Sequence, residues 1–280
     1  MSETQDNFQT LLDAGAASVE IRGINNGMPF VTVPDGYRVN SLESMLSAPI
    51  CKRGKILTTD AGSFIDYLNT HKQEKASTIY AEVDAEKSLC RLLAVIDDHA
   101  ADRPQWRQLQ CAFAPLRSVE WRRWLENDSK VMTQTAFATW LEDNLSDIAA
   151  VPGMPNGTEM LSMALGFEAN SDKRLRSKVN LQSGGVSFEF VDRENDATRT
   201  TMQVFERFTL GLPVFDGSTS AYPLEARLKY REKSGDLSFW YELIRPDRVF
   251  KTAVAEELAR IAEETMLPLL YGQPFAEKLF

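Results

Sequence analysis

Histidine and cysteine are scarce in this chain. Its 280 residues include two histidines, His71 and His99, and three cysteines, Cys51, Cys90 and Cys111. A serine–histidine–acid triad would have to draw its base from those two positions, and no GxSxG elbow accompanies either. The cysteines are odd in number, far apart and in no CxxC pair, which argues for reduced thiols in a cytoplasm and against a disulfide frame. Cys90 and Cys111 fall in expected strands, where a small buried hydrophobe is the simple reading. There is no GxxxxGK[ST] loop and no strand-linked GxGxxG, and the isolated pair Gly184-Gly185 reads as a turn before a strand. No run of about 18 apolar residues exists, so no membrane-spanning helix is expected. The N-terminal stretch MSETQDNFQTLLDAG has neither a basic start nor an apolar centre, so no secretory signal is expected.

What is present is an ordinary globular mixture. The chain is 43% hydrophobic and 25% charged, enough to build a core at this length. The formal net charge is -9, with the acids dispersed along the chain. That balance favours solubility and repels phosphates at long range without forbidding a local basic patch. No solenoid-type repeat is evident.

The pattern along the chain is strands in groups, then helices, then strands. A helix is expected over 8–17. VEIRGI (19–24) and PFVTV (29–33) flank Asn25-Asn26-Gly27, a hairpin signal. Lys55–Thr58 reads as a strand, and Asp60 as the cap of a helix over 61–72. Strands follow at 77–84, 90–97 and 105–113, the first two joined as a hairpin. Two helices are expected at 118–127 and 134–148, and Thr158 is the expected cap of a third. Val186, Phe188 and Phe190 alternate with polar residues. Val204, Phe208 and Leu210 share a face of the next strand. Residues 226–231 and 237–243 alternate around Ser234-Gly235, an antiparallel hairpin with one wet face. Asp247 is the expected cap of a helix whose seam is Phe250, Val254, Leu258 and Ile261.

The fold class expected is therefore α+β, rich in antiparallel sheet: an N-terminal α/β portion, a central helical pair, and a C-terminal strand-rich module closed by a helix. The turn-forming segment Val151–Gly157 suggests two domains, 1–150 and 151–280.

Four groups of residues are candidates for function. The first is SVEWRRWLE at 118–126. With Trp121 at zero on a helical wheel, Leu125 lies at about 40° and Trp124 at about 300°, whereas Arg123 lies at about 200°. The rings and the guanidinium groups diverge, so the tryptophans are expected to pack inward; a base-stacking platform would need both on one face. The second is Asp97-Asp98-His99, the best metal-like cluster. Glu82 and Asp84 do not converge on it, so a solvated strand end is the favoured reading over a metal site, and no cofactor is expected.

The third group is two basic rows. Lys173, Arg174, Arg176 and Lys178 form one, and Arg227, Lys229 and Arg231 form the other on the wet face of a strand. Side by side they would offer nucleic-acid phosphates a positive groove. The fourth is the apolar tail, with Leu267, Leu269, Leu270, Tyr271, Phe275 and Phe280 as interface candidates. Asn144 falls inside the apolar stripe of Phe137, Trp140, Leu141, Leu145 and Ile148, where a buried amide must find partners.

Several phrases carry a likeness. QTAFATWLEDNLSDI (134–148), LPVFDGSTSAYPLEARLKYR (212–231), LIRPDRVF (243–250) and YGQPF (271–275) together resemble the YfdQ-like proteins, a phage and prophage family of unknown function. The likeness runs from residue 40 onward and rests on dispersed structural phrases, none of them a catalytic signature. It implies a protein of a bacterial cytoplasm, encoded near genes of DNA recombination and replication, and brings no catalytic residues with it.

The expectation is a non-enzymatic protein that self-associates or binds a macromolecular partner, of host or phage origin. A nucleic-acid accessory role and, last, a metal-dependent enzyme are the alternatives.

Overall fold

In the computed structural model the described residues are 9–10, 15, 22–23, 29–30, 36, 38, 40–166, 175–179, 185–190, 201–233 and 236–274. The chain divides into two units, Met1–Lys52 and Arg53–Phe280. In the first, β1 (Arg22–Gly23) pairs antiparallel with β2 (Pro29–Phe30), as a hairpin around Asn25-Asn26-Gly27 requires. The turn itself lies outside the described residues, as does most of the helix expected at 8–17. A 3-10 turn spans Glu43–Met45.

The second unit begins with β3 (Gly54–Thr58). Asp60 then accepts the Ser63 amide at 2.7 Å and starts α1 (Ala61–His71), which buries Phe64, Ile65 and Leu68. β4 (Thr78–Asp84), β5 (Leu89–Val95) and β6 (Leu109–Phe113) form an antiparallel meander. α2 (Val119–Glu126), β7 (Met132–Thr133), α3 (Gln134–Asp143) and α4 (Gly157–Gly166) follow. β8 (Leu175–Val179), β9 (Gly185–Phe190) and β10 (Thr201–Phe205) make a three-stranded antiparallel sheet. β11 (Arg207–Leu212), β12 (Tyr222–Lys233) and β13 (Asp236–Leu243) are joined by β7 in a four-stranded sheet of order β11-β12-β13-β7. α5 (Pro246–Thr265) and β14 (Leu269–Tyr271) complete the described elements.

The protein is α+β. Among the described residues, five α-helices longer than one turn lie among mostly antiparallel sheets. Two pairings depart from that rule. β3 joins β6 and β14 joins β4, both parallel, giving a five-stranded sheet of order β14-β4-β5-β6-β3. β14, which follows α5, carries the chain back to the five-stranded sheet.

The core is continuous from α1 to α5. Trp121 and Trp124 are fully buried, as the helical wheel requires; Arg122 is exposed, whereas Arg123, expected opposite the rings, is half-buried and donates to the buried Asn144 Oδ1 at 2.7 Å. Trp124 packs 5.0 Å from the Tyr241 ring, and Phe137 stacks on Phe239 at 5.2 Å. Phe250, Val254, Leu258 and Ile261 are all buried along α5.

Four local expectations need correction. The helix at 134–148 ends at Asp143, because Asn144 adopts φ -125°, ψ 24° and its side-chain amide donates to the Trp140 carbonyl at 2.7 Å; a 3-10 turn over Leu145–Asp147 follows. α4 is capped by Asn156 and not by Thr158. Asn156 Oδ1 accepts the Glu159 amide at 3.0 Å while Glu159 Oε2 accepts the Asn156 amide at 2.9 Å, a reciprocal capping box. The strand expected through Val204, Phe208 and Leu210 is two strands in two sheets, parted at Glu206, whose carbonyl accepts the Leu228 amide at 2.9 Å. At α5 the cap position is Arg245, left-handed at φ 54°, and Asp247 sits in the first turn paired with it at 2.9 Å.

Candidate functional site

Asp97, Asp98 and His99 form a structural knot at the end of β5. Both Asp97 oxygens are occupied: Oδ2 accepts the Gln108 amide and Oδ1 the Leu109 amide, each at 2.8 Å. β6 starts at Leu109, later than the 105 expected from sequence. Asp98 is not the solvated end expected of it. It is 4% exposed and accepts from the Tyr80 hydroxyl and its neighbour's amide at His99, each at 2.8 Å. It also pairs with Arg107 Nε at 2.9 Å.

Burial works to raise the Asp98 carboxyl, but the Tyr80 and His99 hydrogen bonds and the Arg107 charge outweigh it. The group is held below its ordinary range. Arg107 adopts φ 58° to make this contact and also reaches the Pro274 carbonyl at 3.4 Å. His99 Nδ1 accepts the Gln105 amide at 3.1 Å. Among the described residues no group of three or more histidine, cysteine or acidic side chains could hold a metal ion.

The surface that sequence reasoning missed lies on the other side of this knot. Alternation along a strand puts one set of side chains of the five-stranded sheet against α1 and the rest of the core, and leaves the opposite set facing away. Register aligns that outer set into a row crossing all five strands. Leu270 lies opposite Tyr80, Tyr80 opposite Leu93, Leu93 opposite Ala112, and Ala112 opposite Leu57. Leu57 is 66% exposed and Leu270 50%, while Tyr80, Leu93 and Ala112 are half-buried. A cavity of about 500 Å³ sits over Tyr80, Leu93, Ala112 and Leu57 of the row, bordered by Lys55, Glu82, Arg91 and the turn Gly272–Pro274. No local sequence signal marks this site, because each strand contributes only one or two of its residues. Strand order creates it.

The basic rows are placed differently. Lys173 and Arg174 lie outside the described residues, and Arg176 and Lys178 are on β8. Arg227, Lys229 and Arg231 alternate outward on β12. Arg227 and Lys229 border a second cavity of about 420 Å³ together with Glu206 and Arg207. Across the β12–β13 ladder, Lys229 faces Trp240 but Arg227 faces Glu242. Arg207 is 3.5 Å from Glu225. Acids therefore offset part of the row.

The tail divides by role. Leu267 is core at 5% exposure and Leu269 is half-buried in β14, whereas Leu270 and Tyr271 are exposed; Phe275 and Phe280 lie outside the described residues. The hairpin of β12 and β13 is flanked on both sides. β11 covers β12 through Arg227. β7 covers Ser238 and Phe239, and beyond it the Ser129 amide donates to the Tyr241 carbonyl while Asp128 Oδ1 accepts the Leu243 amide. A turn here stands in for a strand.

No helix of the described residues is long and apolar enough to cross a membrane. No curated protein and no solved structure matches the chain. The model of one family, described as an uncharacterized conserved protein (DUF2303), matches residues 2–274, and the chain belongs to that family.

Proposed function

We propose that this is a non-enzymatic, phage- or prophage-derived protein of the bacterial cytoplasm that works by binding, to copies of itself or to a macromolecular partner. The observation that carries the reading is the apolar row Leu270–Tyr80–Leu93–Ala112–Leu57 on the outward face of the five-stranded sheet. A partly exposed apolar strip rimmed by charges is what interaction sites use. The binding of Asp97 and Asp98 into structural hydrogen bonds supports a role other than acid–base chemistry at that cluster. The phage origin is supported by the likeness of residues 134–148 and 212–231 to the YfdQ-like proteins.

A photo-reactive amino acid placed at Leu57 or Leu270 tests the reading in a bacterial cytoplasm, with the equally exposed Val131 as the control position. The expected result is one covalent product of defined mass from the sheet positions and none from Val131, reproduced with the purified partner or with the chain alone. Failure of both sheet positions to cross-link overturns it.

A nucleic-acid accessory role is the second reading. It is favoured by the cross-strand pair Lys229–Trp240, which sets a cation beside a ring on one outward face. Single-stranded DNA should raise fluorescence anisotropy at low salt, lose affinity steeply as salt increases, and lose it on Lys229→Ala or Trp240→Ala. No change in anisotropy at low salt rejects this role.

A further inference from the structure

β3 is an edge strand whose outer side is built to accept another strand. In a parallel ladder alternate residues bond to a given neighbour. The Gly54 amide donates to the Gln108 carbonyl at 2.9 Å, and the Thr58 carbonyl accepts the Ala114 amide at 3.2 Å. Gly54, Ile56 and Thr58 therefore spend their backbone groups on β6. Lys55 and Leu57 turn theirs outward, and among the described residues no strand lies beyond β3. Protected edges in soluble proteins are short, charged, bulged or covered. This one carries Ile56 and Leu57 at 42% and 66% exposure, with a single lysine between them and the start of the strand.

We infer that the occupant of this edge is the β3 of a second copy of the chain, paired antiparallel about a two-fold axis through Ile56. The inference rests on the self-associating form of the function proposed above and names its surface. Three features of β3 make it self-complementary. Centring the axis on Ile56 brings Lys55 of each copy opposite Leu57 of the other, so the outward amides and carbonyls of both residues meet as hydrogen-bonded pairs. The two Ile56 residues then face each other at the non-hydrogen-bonded position, where side chains approach most closely. On the cavity side, each lysine stem lies over the other copy's exposed Leu57, with its ammonium group in water.

The symmetry closes after two copies, joining the five-stranded sheets into one and the two apolar rows into one longer strip. The other free edge, β14, is shorter, with three residues to the five of β3, and Pro274 follows it closely. Pairing of β3 onto β14 would be head-to-tail and would not close after two copies.

Leu57→Pro tests this without cutting the β3–β6 ladder, because the amide it removes is one that faces outward. In sedimentation velocity from micromolar to submillimolar concentration, the wild type should shift from one chain mass to two. Leu57→Pro should remain at one with an unchanged far-ultraviolet circular dichroism spectrum, and Leu57→Val should behave as wild type.

If the wild type stays at one chain mass throughout, both this inference and self-association fail. If wild type and Leu57→Pro dimerise alike, the β3 pairing is wrong and self-association uses another surface. Masses growing past two overturn the two-fold pairing in favour of a head-to-tail one. Should Leu57→Pro not fold, hydrogen exchange of the wild type decides. Amides of residues 55 and 57 must gain protection as concentration rises, and unchanged protection overturns the inference. Protection that appears only when a different protein is added assigns the edge to that protein and overturns it equally.

Discussion

The indole N–H of Trp124 donates to Asp147 Oδ2 at 2.8 Å, with both side chains buried. This bond holds the 3-10 turn that follows the break at Asn144. A helix continued past Asp143 would carry residue 147 onward along its own axis; the 3-10 turn instead folds it back towards α2. The Tyr241 hydroxyl adds a second anchor by donating to the Trp124 carbonyl at 2.8 Å. Asp147→Ala leaves the indole without its acceptor and should cost about 1–3 kcal/mol, whereas Asp147→Asn retains an acceptor oxygen and should cost less. Urea unfolding followed by tryptophan fluorescence measures both, and equal losses in the two variants would contradict the hydrogen-bond account.

Asn144 makes the companion prediction. Its Oδ1 accepts Arg123 Nη1 at 2.7 Å and its amide satisfies the Trp140 carbonyl, so one buried side chain ties α2 to the end of α3. Leucine fits the apolar stripe of the sequence but strands a guanidinium and a carbonyl. Asn144→Leu should lower stability by about 1–3 kcal/mol in spite of its hydrophobicity. A variant as stable as wild type in the same urea titration would show that the apolar stripe, and not the amide, governs this position.

The elements that sequence reasoning located are those whose signal is local. Alternation along 226–231 and 237–243, the 3.6-residue seam of Phe250, Val254, Leu258 and Ile261, and Asp60 ahead of an apolar run each need only neighbouring residues. Elements that depend on distant partners were not legible. Parallel pairing of Tyr271 with Ala81, or of Lys55 with Gln110, leaves no mark at either position. Asp98 looked solvated because its run is acidic and near a turn. Its partners Tyr80 and Arg107 come from another strand and from a left-handed loop residue. The apolar row is the extreme case, since it exists only in the strand order of the folded sheet.

Asp98 also sets an acid limit. Its folded carboxyl is held below the unfolded value of about 3.9. A lowered folded value means stability that is present above the unfolded value and lost as pH falls through the folded one. Stability should therefore hold from neutral pH to about 5 and decline below about 4. Asp98→Asn should be destabilised at pH 7 and approach wild type as pH drops, because protonation removes the charge the variant already lacks. Urea midpoints measured from pH 7 to pH 3 check this; a gap between the proteins that stays constant would show that Asp98 acts by shape and not by charge.

The three cysteines should differ sharply in reactivity. Cys90 and Cys111 lie on the core-facing side of β5 and β6, and burial pushes their thiols up to about 12 and about 11. Glu257 adds to the effect at Cys90. Only the thiolate attacks a disulfide reagent, so both are shielded twice, by access and by protonation. Cys51 is exposed. A chromogenic disulfide reagent at neutral pH should therefore titrate one thiol quickly in the native protein and all three in denaturant. Cys51→Ser should abolish the fast phase and leave the slow one, whose rate then reports opening of the five-stranded sheet. Because β3 pairs directly with the strand that holds Cys111, any copy docked on that edge should slow the Cys111 reaction further as protein concentration rises. A second fast thiol in the native protein would mean that the sheet is far more open than its packing indicates.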